Sequence, residues 1–149
     1  MSAVATFLDQ QALTLIRDPW SIRNVVTRLV QSDRLGKSLA VDDRRAFARK
    51  AVKVRLWATP CAVQEDEVIL PPDRIGTIQG VSKDLSFGGV GFVHVEEFPA
   101  QFGVFTFELP DGGFESLVAE MRWSQRQEEG GLLSGSQFIG VTETPWFLK

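Results

Sequence analysis

The sequence contains few of the residues that build disulfide frameworks, metal centres or membrane spans. Cys61 is the only cysteine and His94 the only histidine among the 149 residues. An intrachain disulfide is therefore impossible, a reducing compartment fits best, and the spaced ligands of a zinc site are missing. No apolar run approaches the roughly 18 residues of a membrane span, and the N-terminus lacks the basic run of a signal peptide. We therefore expect a cytoplasmic protein without a membrane span.

The remaining composition is that of one ordinary globular domain. The chain is 44% hydrophobic and 23% charged, with a formal net charge of −3. These values exclude collagen-like and wholly disordered chains, and the acidic balance argues against a general nucleic-acid binder. The charge is unevenly distributed, because residues 1–60 hold eleven of the 16 basic residues and only five of the 19 acidic ones. The positive charge is therefore local, and it precedes a strongly acidic region.

The N-terminal part of the chain predicts one helix over residues 18–35. Asp18 can cap this helix, Pro19 suits its first position and Gly36 follows its end. Apolar side chains recur along it at three-to-four spacing, namely Ile22, Val25, Val26, Leu29 and Val30. This stripe packs either on the rest of the chain or on a second copy in a homodimer, and periodicity does not separate the two. Residues 12–16 fit either a helix or a strand.

From residue 51 the hydrophobic pattern changes to a period of two, which is typical of strands. Val52, Val54, Leu56 and Ala58 alternate with other residues in the first predicted strand. Five further strands are predicted over 75–81, 90–95, 104–109, 117–124 and 137–141, with turn residues such as Asp111-Gly112 between them. The pattern predicts a mainly β fold, a small six-stranded antiparallel β-barrel with an N-terminal helical extension. We expect the eleven phenylalanines and four tryptophans to fill its interior and ends.

No group of residues in the sequence supports catalysis. His94 lies in an apolar strand without a serine–aspartate context, and Cys61 has no base or second thiol nearby, so both are predicted to be structural. The acidic residues 65–67 are predicted to form a solvated loop. The glycine-rich residues 86–91 lack the spacing of a dinucleotide-binding or phosphate-binding loop. We predict that the protein is not an enzyme and that it holds no metal or cofactor.

Two groups of residues do favour a ligand. Six basic residues and no acidic one lie between Arg44 and Arg55, and an arginine can bind phosphate, stack on a base or read the O6/N7 edge of guanine. Asp84 and Ser86, two apart in an extended segment, point to the same side. There the carboxylate can accept N–H bonds from guanine, and Gly89 permits a close ligand or a positive φ. The alternatives are a solvated basic linker and a turn whose Asp and Ser cap local amides.

These motifs resemble the signature of PilZ domains, which are bacterial receptors for cyclic di-GMP. The family signature, RRxxxR followed by D/NxSxxG, reads here Arg44-Arg45-Ala46-Phe47-Ala48-Arg49 and Asp84-Leu85-Ser86-Phe87-Gly88-Gly89. The resemblance covers about residues 43–142, because 117–123 and 135–138 also look like the family's fifth and final strands. It divides the chain into an N-terminal extension, 1–42, and a PilZ-like β-barrel domain, 43–149.

The resemblance implies a cyclic di-GMP receptor or adaptor whose N-terminal arm changes conformation on binding and signals to a protein partner. The ligand would be bound by Arg44, Arg45 and Arg49 of the arm and by Asp84, Ser86 and Gly89. In the family, an arginine at the position of Arg44 accompanies two stacked ligand molecules. We expect the 18–35 helix to be the element that moves. The alternatives are a PilZ-fold scaffold that binds a protein partner without nucleotide, and a small barrel that binds nucleic acid through its basic arm.

Overall fold

The structure is a computed structural model that describes residues 11–32 and 51–149. The predicted ligand residues Arg44, Arg45 and Arg49, the end of the predicted helix and the boundary between 42 and 43 lie outside these ranges. Within them, no helix is both long and apolar enough to cross a membrane. The described elements are β1 (Gln11–Thr14), α1 (Pro19–Ser32), β2 (Arg55–Gln64), β3 (Glu67–Leu70), β4 (Ile78–Leu85), β5 (Val90–His94), β6 (Phe102–Glu108), β7 (Phe114–Arg126), β8 (Leu132–Thr142) and a short 3-10 helix (Trp146–Leu148).

The eight strands form one antiparallel sheet in the order β1-β3-β2-β4-β5-β8-β7-β6. The long strand β2 pairs with three neighbours, because its beginning lies beside β4 and its end beside β3. It also pairs with β6, from Leu56 opposite Phe107 to Cys61 opposite Phe102. The last strand of the sheet is therefore joined back to β2, and the mainly β fold predicted from the sequence is confirmed.

The six predicted strands are all present as β2 and β4–β8, although their ends differ from the prediction. The alternation is confirmed, because Val52, Val54 and Leu56 are buried while the basic residues between them are exposed. The strand predicted over 75–81 instead begins at Ile78 and continues to Leu85. The reason is a turn before it, in which Asp73 and Gly76 have φ angles of 58° and 78°.

Two short strands at the edge of the sheet, β1 and β3, extend the predicted set. The sequence pattern left residues 12–16 open between helix and strand, and it did not predict β3. Glu65 and Asp66 form the turn into β3, with Glu65 at a φ of 52°. The loop predicted over 65–67 is one residue shorter than expected, because Glu67 is the first residue of β3, and β1 pairs with β3 along its whole length. Strands of four residues are too short to display a period, so their partners decide their conformation.

The hydrophobic core has two parts, one on each face of β6. The larger part contains Phe92, Phe105, Phe107 and the buried face of α1. The smaller part lies under β1 and β3 and consists of Leu13, Leu15, Val68, Leu70, Val104 and Val118. Because β6 lies between the two, every residue from Gly103 to Phe107 is buried.

Helix α1 begins where the sequence predicts. The Trp20 backbone N–H donates to Asp18 Oδ1 at 3.2 Å and the Ser21 hydroxyl donates to Asp18 Oδ2 at 3.2 Å, which is a typical N-terminal cap. Val25, Val26 and Leu29 are buried in the larger part of the core. The apolar stripe therefore packs on the same chain, which answers the question that periodicity left open.

The expectation that the four tryptophans fill the interior and ends of the barrel is wrong for three of them, whereas Trp57 is half-buried. Trp20, Trp123 and Trp146 expose 69%, 42% and 58% of their surface, whereas Phe92, Phe105 and Phe107 are completely buried. The physical reason is that a buried indole must find a partner for its N–H. Phenylalanine has no polar atom and fills the same space without this requirement.

Candidate functional site

A cavity of about 450 Å³ lies where β4 ends and turns into β5. Asp84 and Ser86 line it together, as their spacing in an extended segment predicts. Arg122 and Trp123 of β7 line the opposite wall, and residues 135–137 of β8 complete it. The cavity is of the size that small ligands occupy and contains several convergent polar groups.

The carboxylate of Asp84 lies across the backbone of the neighbouring strand. Asp84 is paired with Gly91, just after an irregularity in the β4–β5 register. A Cβ atom at Gly91 would lie 2.8 Å from Asp84 Oδ1, which is closer than real Cβ atoms approach. The absence of a side chain at Gly91 therefore provides the space in which the carboxylate lies against the cavity.

The Ser86 side chain takes part in the turn that follows β4. The Ser86 backbone N–H donates to the Gly89 carbonyl at 3.0 Å, and the Ser86 hydroxyl accepts a hydrogen bond from the Gly88 N–H at 3.1 Å. The local capping role considered in the sequence is therefore present. Ser86 Oγ lies 3.5 Å from the Gly89 carbonyl oxygen, which is long for a hydrogen bond. Ser86 can thus hold the turn and still donate to a ligand.

Gly89 is required by strand β8. Its φ is not among the positive values in the described chain, so the suggestion that it permits a positive φ is wrong. A Cβ atom at this position would overlap the carbonyl oxygen of Ser136 and lie 2.9 Å from the Ser136 carbonyl carbon. The turn is held to β8 in the same place by the Phe138 N–H, which donates to the Gly88 carbonyl at 2.8 Å. Gly89 therefore lets two backbones meet and thereby forms one wall of the cavity.

Arg122 and Trp123 are cavity residues that the sequence reasoning did not select. The Trp123 indole lies over Gly135, where a Cβ atom would come within 2.8 Å of Trp123 Cζ2. Part of the ring remains exposed and faces the cavity. The Arg122 guanidinium forms a 3.1 Å ion pair with Glu120 on the surface, and such exposed pairs are weak. The signal that could have identified this wall is a large aromatic residue opposite a glycine on the next strand. That signal can be recognised only when the register of the two strands is known.

Residues 52–54, which follow the predicted arginines in the chain, contact β4. The Val54 N–H donates to Ser82 Oγ at 2.8 Å, and Ser82 Oγ in turn donates to the Val52 carbonyl. Residues 52–54 continue antiparallel to β4, so the chain traced back from Val54 to Ala51 runs in the direction of Asp84. Arg49 is two residues before Ala51. The described end of the basic segment therefore contacts β4 at Ser82, two residues before Asp84, and residues 51–54 are not among those that line the cavity.

His94 lies away from this cavity and is held by neighbours on both sides. Its Nδ1 is 2.6 Å from the Glu96 carbonyl and its Nε2 is 2.7 Å from Ser134 Oγ. Both His94 and Ser134 are buried, so this pair links β5 to β8 and offers no exposed hydroxyl to a substrate. No three His, Cys, Asp or Glu side chains in residues 11–32 and 51–149 come together as a metal ion would need.

Cys61 lies in a second, apolar groove of about 500 Å³. Residues that line this groove include Pro60, Ile69, Pro71 and Ile75. Burial raises the pKa of the Cys61 thiol to about 12. Because the thiolate is the reactive form of cysteine, Cys61 is a poor nucleophile near neutral pH.

A comparison of the chain with models of known protein families, with curated proteins and with solved structures finds no match. The chemistry of the site is therefore the evidence that bears on function. In the described residues, the cavity at the end of β4 combines an acceptor, a hydroxyl, an exposed indole and a guanidinium around one space. This set of groups suits a ligand that has both an aromatic ring with N–H donors and a negative charge.

Proposed function

We propose that this protein is a cyclic di-GMP receptor with a PilZ-type β-barrel. The observation that carries the proposal is the cavity that Asp84 and Ser86 line together on β4 and the turn after it. The described end of the basic segment contacts the same strand, at Ser82. The pairing of β2 with β6 supports the barrel, since it joins the six predicted strands into a closed series. The family resemblance of residues 43–142 supplies the identity of the ligand.

The groups around the cavity match the chemistry of this ligand. Cyclic di-GMP has two phosphates and two guanines. The Asp84 carboxylate can accept the N–H groups of a guanine Watson–Crick edge, and the Ser86 hydroxyl can bond a second polar atom. The Trp123 indole offers a surface on which a base can stack. Arg122 can exchange its weak surface pair for a phosphate, and the resemblance assigns Arg44, Arg45 and Arg49 to the ligand from the arm.

The packing of α1 limits how the proposed signal can reach a protein partner. Val25, Val26 and Leu29 are each 2% exposed or less, and each such side chain contributes about 1.5–3 kcal/mol by its burial. Release of all three would cost an amount comparable to the whole stability of a typical domain, about 5–15 kcal/mol. We therefore propose that the ligand shifts α1 or its connection to the arm and leaves the buried face in place.

Calorimetric titration with cyclic di-GMP tests the proposal and also reports the stoichiometry. We expect binding by the wild-type chain, and at least tenfold weaker binding by Arg49→Ala and by Asp84→Ala. Asp66→Ala is a matched control for the loss of a carboxylate, because Asp66 is exposed in the turn between β2 and β3. Its affinity should equal that of the wild type.

Three results would contradict the proposal. Unchanged affinity in both Arg49→Ala and Asp84→Ala would show that the ligand binds elsewhere. A folded wild-type chain that gives no heat with cyclic di-GMP would instead favour the scaffold that binds a protein partner without nucleotide. Salt-sensitive binding to oligonucleotides would favour the nucleic-acid alternative.

A further inference from the structure

We infer that Arg23 of α1 is a positioning residue for the turn between β4 and β5, and that it acts through Phe87. Where this inference concerns ligand binding, it rests on the proposed function. Where it concerns the turn itself, it rests on contacts within the described chain. The two parts can be tested separately.

The Arg23 guanidinium lies between two aromatic rings. Its Cζ atom is 4.4 Å from the centre of the Phe87 ring and 5.5 Å from the centre of the Trp20 ring. Both distances are within the range of a cation–π interaction, and an arginine also stacks on such rings through its planar group. Trp20 and Arg23 are one turn apart on α1, so the helix presents the cation and one ring together.

Phe87 belongs to the turn that forms the floor of the candidate site. Its chain neighbours Ser86 and Gly88 both line the cavity, while the Phe87 ring packs against the larger part of the core. A change in the position of this ring therefore changes the positions of the Ser86 hydroxyl and the Gly88 backbone. Arg23 covers this ring from the helix.

Other contacts hold α1 in place independently of Arg23. Val25, Val26 and Leu29 are buried in the core, and the Arg28 guanidinium forms a 2.7 Å ion pair with Glu115 of β7. The loss of Arg23 should therefore leave the helix in place and act mainly on the turn. Arg44, Arg45 and Arg49 follow α1 in the sequence, so the helix that carries Arg23 precedes the predicted arm in the chain.

The ligand-free chain provides the first test, by hydrogen exchange of the amides that define the turn. Three of them are held by turn contacts, namely those of Ser86, Gly88 and Phe138. We expect Arg23→Gln to accelerate their exchange about two- to fivefold, the range that the loss of an exposed cation–π contact produces. Arg28→Gln is the matched control, because it removes a cation from the same helix that contacts β7 and not the turn. Equal turn exchange in the two variants would overturn the inference.

A double-mutant cycle separates a specific contact from general loosening. Phe87→Leu keeps an apolar side chain in the core and removes the ring that Arg23 covers. If Arg23 acts through Phe87, the combined variant should exchange no faster than Phe87→Leu alone. If exchange of the turn amides in the combined variant were accelerated by the product of the two single effects, Arg23 would act independently of Phe87. That result would contradict the inference.

Titration with cyclic di-GMP provides the second test. We expect Arg23→Gln to weaken binding about two- to fivefold, Arg23→Lys to weaken it less and Arg28→Gln to leave it unchanged. Ligand should slow exchange at the Val25 and Val26 amides in the wild type but not in Arg23→Gln. Wild-type affinity and an intact helix response in Arg23→Gln would overturn the inference while leaving the proposed function standing. If the wild type binds no ligand, the proposed function fails and the ligand-free experiments decide the role of Arg23.

Discussion

The cavity at the end of β4 and the groove around Cys61 are similar in volume but opposite in chemistry. The first, of about 450 Å³, is lined by Asp84, Ser86, Arg122 and an exposed indole. The second, of about 500 Å³, is lined mostly by proline and aliphatic side chains. Volume alone therefore does not identify a ligand site in this chain. Convergent polar groups on rigid strands distinguish the first cavity, because they can recognise a ligand and not merely exclude water.

The largest expected effect concerns the backbone wall of the polar cavity. Gly89→Ala should lower the free energy of unfolding by about 2–3 kcal/mol, because the new Cβ atom would overlap the Ser136 carbonyl and force β8 away from the turn. Gly113→Ala is the control, since its closest contact would be the side chain of Asp111 at 3.2 Å. Urea unfolding measures both. The same midpoint in both variants would show that β8 does not need this glycine.

The next effect concerns the aromatic wall of the same cavity. Trp123→Ala should weaken cyclic di-GMP binding at least fivefold, because the stacking of a base on an aromatic side chain contributes about 1–3 kcal/mol. Trp123→Phe should lose less, since it keeps a ring. Trp146→Ala removes another exposed indole, from the C-terminal 3-10 helix, and should leave the affinity unchanged. Calorimetry of the three variants would contradict this role if Trp123→Ala bound as tightly as Trp146→Ala.

We expect the ligand to have its smallest effect at the apolar groove. A thiol reagent at pH 8 should modify Cys61 at least tenfold more slowly in the folded chain than in urea, because burial raises the thiol pKa to about 12. Cyclic di-GMP should not alter this rate. If cyclic di-GMP slowed the modification of Cys61, the ligand would bind in the apolar groove and not in the cavity at the end of β4.

The same pKa predicts how stability depends on pH. The unfolded thiol ionises near its ordinary value of 9.0 and the folded thiol near 12. Between pH 9 and pH 12 the thiol of the unfolded chain has lost its proton, whereas the thiol of the folded chain retains it. The contribution of Cys61 to the free energy of unfolding is therefore complete below pH 9 and decreases as the pH rises toward 12. Cys61→Ala should show a shallower loss of stability over this interval in urea unfolding. If the stability of the wild type and of Cys61→Ala decreased equally with pH, the raised pKa of Cys61 would be contradicted.

Local patterns were sufficient to predict much of the fold. Asp18 and Pro19 predicted the start of α1 because capping depends on neighbours within one turn. The alternation from Val52 to Ala58 predicted the buried face of the first strand, and Asp111-Gly112 predicted the hairpin between β6 and β7, where Gly112 has a φ of 91°. Each of these features is determined by residues that are close in the sequence.

The candidate site was only half predictable for the same reason. Asp84 and Ser86 are two residues apart, and their shared direction follows from the geometry of one extended segment. Trp123 and Arg122 join them only because β7 pairs with β8 and β8 pairs with β5. A shift of one residue in either register would turn Trp123 to the other face of the sheet, and nothing in the local sequence specifies both registers.

Local sequence patterns are enough to predict the mainly β fold, the start of the helix, the concentration of positive charge before the sheet and the shared direction of Asp84 and Ser86. The tertiary structure alone decided that β1 and β3 extend the sheet, that three tryptophans lie at the surface and that Gly89 accommodates Ser136. The reason is the separation along the chain of the residues that interact. Capping, alternation and charge are properties of neighbouring residues, whereas strand pairing and the close approach of two backbones depend on segments far apart in the chain.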